Sequence, residues 1–306
     1  MSYEPIHFII NPTSGGGSCG KTWAQARQFI ESTLGNFSFE FTGGKGHGIE
    51  LARRAADKAK KIIAIGGDGT ISEIVSGIIQ SGNKNVEIGV LNLGTGGDFC
   101  RTLKISSNIN KGLDKLKNGN ATQTDVGCIT YINNNDKKEE RYFINIAGCG
   151  MAGEVVRTIN KSKKMFGSFS YYLSSVQNLF SYANKKVLIK IDDEEPKEFV
   201  AVTVAVCNGK YFGGGMQISP NSEINDGLLN ITIIEDWNIL EKIIYSSKLY
   251  GNNILSVPKV SSFVAKKIEI QNLGGDSPAF IDSDGEDIGV IPMTVKIIPG
   301  AVKFII

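Results

Sequence analysis

The sequence predicts an α/β N-terminal domain with a parallel sheet, followed by a β-rich sandwich C-terminal domain. Three observations carry that prediction. Up to Asp125, short apolar runs alternate with helical patterns, the order of a parallel sheet covered by helices. Beyond Asp125, paired apolar runs flank short polar connectors, as antiparallel strands do. Two glycine-and-aspartate loops, GGDGT at 66–70 and GTGGD at 94–98, each follow an apolar run, at the sheet edge where such folds hold ligands.

In the first domain, IHFIIN reads as a strand, WAQARQFIESTL as a helix and FSFEFT as a strand. GIELARRAADKA is helical and KIIAI a buried strand. ISEIVSGIIQ places Ile71, Ile74, Val75, Ile78 and Ile79 at helical spacing, and VEIGVLNLG returns to strand. In the second domain, GCITYI and RYFINIAG flank NNNDKKEE, and VLIKI and EFVAVTVAV flank DDEEPK. LLNITIIED, KKIEIQN and MTVKIIPGAVKFII continue the β-rich pattern. Helical stretches interrupt it around SYYLSSVQNLFSY and NILEKIIYSSKLYG. The expected boundary divides 1–127 from 128–306.

Hydrophobic residues at 41%, charged residues at 21% and a net charge of +2 are ordinary globular values and point away from nucleic acid. The five cysteines form no C-x-x-C pair, and only two histidines are present, so reduced thiols in a cytoplasmic protein are expected. MSYEPIHFIINP carries Glu4 and Pro5 before an apolar run too short for a signal peptide. No apolar stretch approaches the ~18 residues of a spanning helix, so any membrane contact is peripheral.

Residues 15–22, GGGSCGKT, match the phosphate-loop pattern G-x-x-x-x-G-K-[ST]. Asn11-Pro12-Thr13-Ser14 separate the preceding strand from Gly15, and a loop rich in glycine meets the pattern easily. The loop after KIIAI is the stronger anion site, because its glycines let backbone N–H groups approach a ligand at a helix N-terminus. Its centre is Asp68, which repels bare phosphate, so a divalent cation must mediate. An Asp-Gly turn without function is the plain alternative.

Taken in order, NPTSGGG at 11–17, Thr42, GGDGT with Glu73, LGTGGDF, FINIAGCG, KKMFGSFSYYL, NGKYFGGGMQISP, DGLLNI and DGE resemble the soluble diacylglycerol kinase and lipid kinase family, related to sphingosine kinases. The resemblance implies an NAD kinase/phosphofructokinase-like N-terminal domain holding ATP and a C-terminal β-sandwich, with the last strand, AVKFII, returning to the first domain. It also implies that Asn11, Pro12, Thr13, Ser14 and Gly15 form the first nucleotide loop, which makes the Walker match coincidental. Thr42, the run Gly66, Gly67, Asp68, Gly69, Thr70, Ile71, Ser72 and Glu73, and Gly94 and Thr95 are the further ATP contacts it implies.

Phosphoryl transfer asks mainly for positioning and charge neutralisation. By resemblance, Asp68 holds the catalytic Mg²⁺, and Asp98 and Asp125 extend a polar network from it. Asp284 or Glu286 is the general base for the acceptor hydroxyl, with Asp284 favoured and Asp282 incidental. Asp226, the carbonyl of Leu228 and Glu223 match a second, structural Mg²⁺ site of oxygen ligands. Arg157, Lys161, Lys163 and Lys164 beside Met165, Phe166, Phe169, Tyr171 and Tyr172 suit anionic headgroups and an acyl chain, or equally a packed helix with solvated lysines.

The family usually has Asn at the positions of Ser72 and Gly97, Pro at Asn92 and Asp at Asn230; all the named carboxylates are kept. The expected activity is ATP- and Mg²⁺-dependent phosphorylation of a lipid hydroxyl, diacylglycerol first. The alternatives are a sphingoid base, phosphatidylglycerol or NAD as acceptor, or a nucleotide- or lipid-binding protein that has lost catalysis. Whether the chain is a monomer or a homodimer is left open.

Overall fold

The computed structural model describes residues 5–93, 97–133, 137–162, 182–251, 253–274 and 279–306, the side chains of 159–162 excepted. The chain divides into two compact units, one of residues 1–126 with 299–306 and one of 127–298.

The first unit begins with β1 (Ile6–Ile10), α1 (Ser18–Leu34), β2 (Ser38–Phe41), α2 (His47–Ala55), β3 (Lys61–Ile65), α3 (Asp68–Ser81) and β4 (Glu87–Val90). Helices α4 (Asp98–Thr102) and α5 (Ile109–Asn118) follow. β1 pairs in parallel with β2 and β3, and β3 with β4. Residues Phe8 to Ile10 and Ile62 to Ile65 are buried, as strands inside a covered parallel sheet must be. One face of the sheet packs Phe8, Ile10, Ile63 and Ile65 against Cys19, Trp23 and Ile30 of α1 and Leu113 and Leu116 of α5. The expected apolar stripe of α3 is buried at Ile71, Ile74, Val75 and Ile78.

The second unit contains β6 (Lys138–Phe143), β7 (Ile146–Gly150), α6 (Met151–Ser162), β8 (Lys185–Ile191), β9 (Lys197–Cys207), β10 (Leu229–Glu235), α7 (Ile239–Ser246), β11 (Val260–Ala265), β12 (Lys267–Asn272) and β13 (Phe280–Ser283). Two long strands, β5 (Ala121–Ile132) and β14 (Glu286–Ile305), run through the boundary between the units. β9 pairs with β7, β7 with β13, β13 with β14, β14 with β12, β12 with β8 and β8 again with β9, all antiparallel. This circuit closes on itself, which leaves no open edge along it. Its interior is filled by Phe143, Val204, Val206, Ile231, Ile268, Ile281 and Val295.

The last residues of β14 lie in the first unit, where Lys303 and Phe304 pair in parallel with Glu87 and Ile88 of β4. Phe304 is buried with its ring 5.3 Å from that of Phe99. Asp125 Oδ1 accepts the Gly300 N–H at 2.7 Å and so fixes the start of this segment.

Helix α6 takes the packed-helix alternative for the start of the basic stretch, although Val155, Val156, Thr158 and Ile159 are β-branched. Packing decides instead: Gly153 brings the helix so close to Phe280 of β13 that a Cβ there would meet the Phe280 carbonyl. The helical stretch expected around SYYLSSVQNLFSY lies, up to residue 181, outside the described residues.

Candidate active site

Around GGGSCGKT the backbone settles the phosphate-loop question. Gly15, Gly16 and Gly17 all have positive φ, and α1 begins at Ser18, three residues before Lys21. A phosphate loop starts its helix at the Lys-Thr end. Here Lys21 is already inside the helix and exposed.

The carboxamide of Asn11 organises this loop. Its Oδ1 accepts the Thr13 N–H at 3.1 Å and the Thr13 hydroxyl at 2.8 Å, while its Nδ2 donates to Thr70 Oγ1 at 3.1 Å. The first loop is thereby tied to GGDGT. Thr42 follows β2 and donates its N–H to the Ile10 carbonyl at 2.8 Å. Glu73 accepts the N–H groups of Gly46 at 2.7 Å and Gly48 at 2.9 Å, which fixes the loop after Thr42. The carboxylate of Glu73 therefore orders this rim of the sheet.

Asp68 opens α3 and reaches across to the second glycine-aspartate loop. Its Oδ2 accepts the Asp98 N–H at 2.7 Å and its Oδ1 the Phe99 N–H at 3.2 Å. Gly97 explains itself here: a Cβ at that position would overlap the Asp68 carboxylate. The departure from Asn at 97 thus makes room for Asp68 in this arrangement. Asp98 is buried, with Oδ1 3.4 Å from Arg101 Nε. Asp125 holds the returning C-terminal segment, as described above. Gly94 and Thr95 lie outside the described residues.

In the second unit, Asp284 has a φ of 48° and sits in the turn between β13 and β14. Its Oδ2 accepts the Ile144 N–H at 2.9 Å, and its Oδ1 accepts those of Asn145 at 3.0 Å and Ile146 at 3.1 Å. Asp284 in turn donates its N–H to the Ile146 carbonyl at 2.9 Å. Glu286 Oε2 accepts from Arg141 Nη2 at 2.6 Å, both side chains being largely buried. Burial pushes the Asp282 carboxyl up to about 7, and the negative charge of Asp284 adds to the rise.

Asp226 is exposed and accepts the Leu228 N–H at 3.0 Å, with Glu223 exposed on the same loop. Arg157 lies over the Phe280 ring, 3.8 Å from its centroid, so its guanidinium is packed against the strand. The Lys161 side chain and residues 163–172 of the basic and aromatic stretch lie outside the described residues.

Comparison with known proteins places this geometry. The diacylglycerol kinase catalytic domain matches residues 5–129, and the YegS C-terminal NAD kinase beta sandwich-like domain matches residues 145–306. The diacylglycerol kinase of Bacillus subtilis (strain 168) is 32% identical over 281 residues, 88% of each chain. The chain belongs to the diacylglycerol kinase family.

It is accordingly a lipid kinase. Its fold is shared with a solved structure from Bacillus anthracis str. Sterne, with a TM-score of 0.78 at 24% identity over 100% of this chain and 96% of that one. Yeast NADH kinase complexed with NADH aligns with a TM-score of 0.52 at 12% identity, covering 99% of this chain and 83% of its own. Among the described residues of this lipid kinase, no helix is long and apolar enough to cross a membrane.

Sequence reasoning missed Arg141 and Asn145, whose partners in the acidic turn lie well over a hundred residues away, and it set Asp282 aside. No local signal marks Asp282: alternation places it on the face opposite the buried Ile281, and its burial comes from the pairing of β13 with β7 and β14.

Proposed function

We propose that this lipid kinase transfers the γ-phosphoryl group of ATP to a lipid hydroxyl, in a Mg²⁺-dependent reaction with diacylglycerol as the first acceptor to test. The observation that carries the reading is the tie of Asp68 to the Asp98 and Phe99 N–H groups, which joins the two glycine-aspartate loops beside the N-terminus of α3. Asn11 through Gly15, Thr42, Gly66 through Glu73, and Gly94 with Thr95 would line the nucleotide. Asn11 and Glu73 act chiefly by holding the loops in register.

The Asp68 side chain fits a Mg²⁺ ion: it is a half-buried carboxylate, and Mg²⁺ is commonly held by one or two carboxylates with phosphate oxygens and water. Among the described residues, no three His, Cys, Asp or Glu side chains converge, so phosphate and water would complete the shell. When bound there, the ion neutralises charge on the transferring phosphates. Asp226, the Leu228 carbonyl and Glu223 offer oxygen donors for a second, structural ion.

For the proton of the acceptor hydroxyl, the geometry moves the choice from Asp284 to Glu286. Three of the four lone-pair sites of the Asp284 carboxylate are committed to N–H groups, so it orders the turn. Glu286, oriented by Arg141, is the carboxylate we assign to receive the proton. The lipid would be met by peripheral contact with a membrane surface.

The test is transfer of labelled γ-phosphate from ATP to a lipid panel in detergent micelles, with and without Mg²⁺, with NAD as a control acceptor. Label on diacylglycerol that is lost with Glu286→Gln supports the reading. Label on NAD, or undiminished transfer by Glu286→Gln, sinks it.

A further inference from the structure

Among the four carboxyls of the acidic segment, Asp282, Asp284, Glu286 and Asp287, Asp282 alone is buried, with 8% of its surface exposed. The register explains its surroundings. Asp282 pairs with Gly148 of β7 on one side and with Asp287 of β14 on the other, at a β-bulge. Gly148 has no side chain, and its own partner on β9 is Ala205. Neither residue offers a side-chain hydrogen bond, and Asp282 Oδ1 has no partner among the described residues.

The charged groups acting on Asp282 are the carboxylates Asp284 and Asp287. β7 brings the Cys149 thiol and β9 the Cys207 thiol, both pushed up chiefly by burial and further by Asp282. From β6, Arg141 is engaged by Glu286, and from α6, which also carries Glu154, Arg157 is stacked on Phe280. The backbone N–H of Asp282 itself favours the charged form, but burial and the two carboxylates outweigh it, and a bound proton removes that penalty.

We propose that Asp282 is a positioning residue that carries a proton in the working enzyme, its neutral carboxyl preserving the N–H bonds of the adjoining Asp284 turn and so the placement of Glu286. The link to catalysis rests on the role proposed for Glu286; the proton itself does not. Loss of that proton to solvent sets a second anion two residues from Asp284, and the repulsion falls on the turn that Asp284 holds to Ile144, Asn145 and Ile146. Ionisation of Asp282 then acts as an alkaline brake on transfer.

The experiment is a carbon-13 carboxyl titration of the full chain labelled at aspartate, with Asp282→Asn assigning the resonance, alongside turnover of both proteins with ATP and diacylglycerol micelles. Asp282 is expected to titrate near 7, where burial and Asp284 have pushed it. The turnover ratio of Asp282→Asn to wild type is expected to rise roughly threefold or more between about pH 6 and about pH 8.5. An Asp282 that titrates below about pH 5, or a ratio flat across the range, overturns the proposal. If the variant fails to fold, the wild-type spectrum still decides: one aspartate carboxyl titrating near neutrality supports it, and none overturns it. Because the titration needs no turnover, a Glu286→Gln enzyme of full activity would defeat the catalytic reading while leaving the protonated Asp282 standing.

Discussion

Asp68 in the first unit and Asp284 in the second are both half-buried carboxylates that accept backbone N–H groups at the start or end of an element, yet the chain makes room for them in opposite ways. Asp68 meets the two N–H groups that open α4, and the space it needs comes from a missing side chain at Gly97. Asp284 meets the N–H groups of Ile144, Asn145 and Ile146, where the chain turns into β7, and it does so from a left-handed backbone conformation of its own. The first arrangement joins two loops of one sheet edge, where the proposed cation would sit. The second ties it to three N–H groups of a turn, and the proposed proton transfer is assigned to its neighbour Glu286.

The comparison breaks if the two carboxylates respond alike to removal. Asp68→Ala is expected to lower phosphoryl transfer by roughly a thousandfold, about 4 kcal/mol, with a modest change in stability. Asp284→Ala is expected to cost about 2–3 kcal/mol of stability, because three N–H groups lose an ionised acceptor, and denaturant titration beside the turnover assay separates the cases. Equal stability losses in the two variants would erase the distinction.

The units also differ in how they meet acid. His7 in β1 is 1% exposed, and burial lowers it from 6.5 to about 4, against the pull of Glu40. In that window the unfolded chain binds a proton that the folded one does not, so stability present above 6.5 is lost as pH falls, by up to about 3 kcal/mol. Asp282 has the opposite sign: raised from 3.8 to about 7, it favours the folded state at low pH, and that advantage is lost as pH rises through the same window. The wild type is therefore expected to show shallow pH dependence between them. Asp282→Asn is expected to steepen the acid loss and His7→Gln to reverse it, as read by urea unfolding across the range; parallel curves for all three proteins would remove the contrast.

Smaller effects sharpen it further. Gly97→Asn is expected to push the Asp68 carboxylate off the Asp98 and Phe99 N–H groups and reduce transfer roughly thirtyfold, about 2 kcal/mol. An unchanged or improved rate would mean that Asp68 works from another position. Asp125→Asn is expected to cost about 1 kcal/mol of stability by weakening its bond to Gly300, with transfer nearly unaffected.

Much of the first unit was legible in the sequence because its signals are local. The spacing of Ile71, Ile74, Val75 and Ile78 and the apolar run before GGDGT report on neighbours within a turn or a strand. Asp68 was legible as a candidate for the same reason, whereas its N–H partners were not, since they depend on how the second loop folds back. The acidic turn of the second unit was harder to read. Glu286 is oriented by Arg141 and Asp284 by residues 144–146, partners that strand pairing alone brings within reach. Burial of Asp282 likewise follows from its neighbours on β7 and β14, and nothing in FIDSDGED distinguishes it from a solvated turn aspartate.

The return of residues 299–306 to the first unit bears on how the protein is made. Phe304 and Ile305 fill the core of that unit, and Lys303 and Phe304 cover the edge of β4, yet the ribosome delivers them only after the whole of 127–298. Until then, β4 waits with an uncovered edge and the hydrophobic layer beside Phe99 is incomplete, the kind of exposed edge that invites mispairing. The first unit is thus translated largely before the second and finished after it, and a nascent chain stalled anywhere in the second unit would carry an open first one.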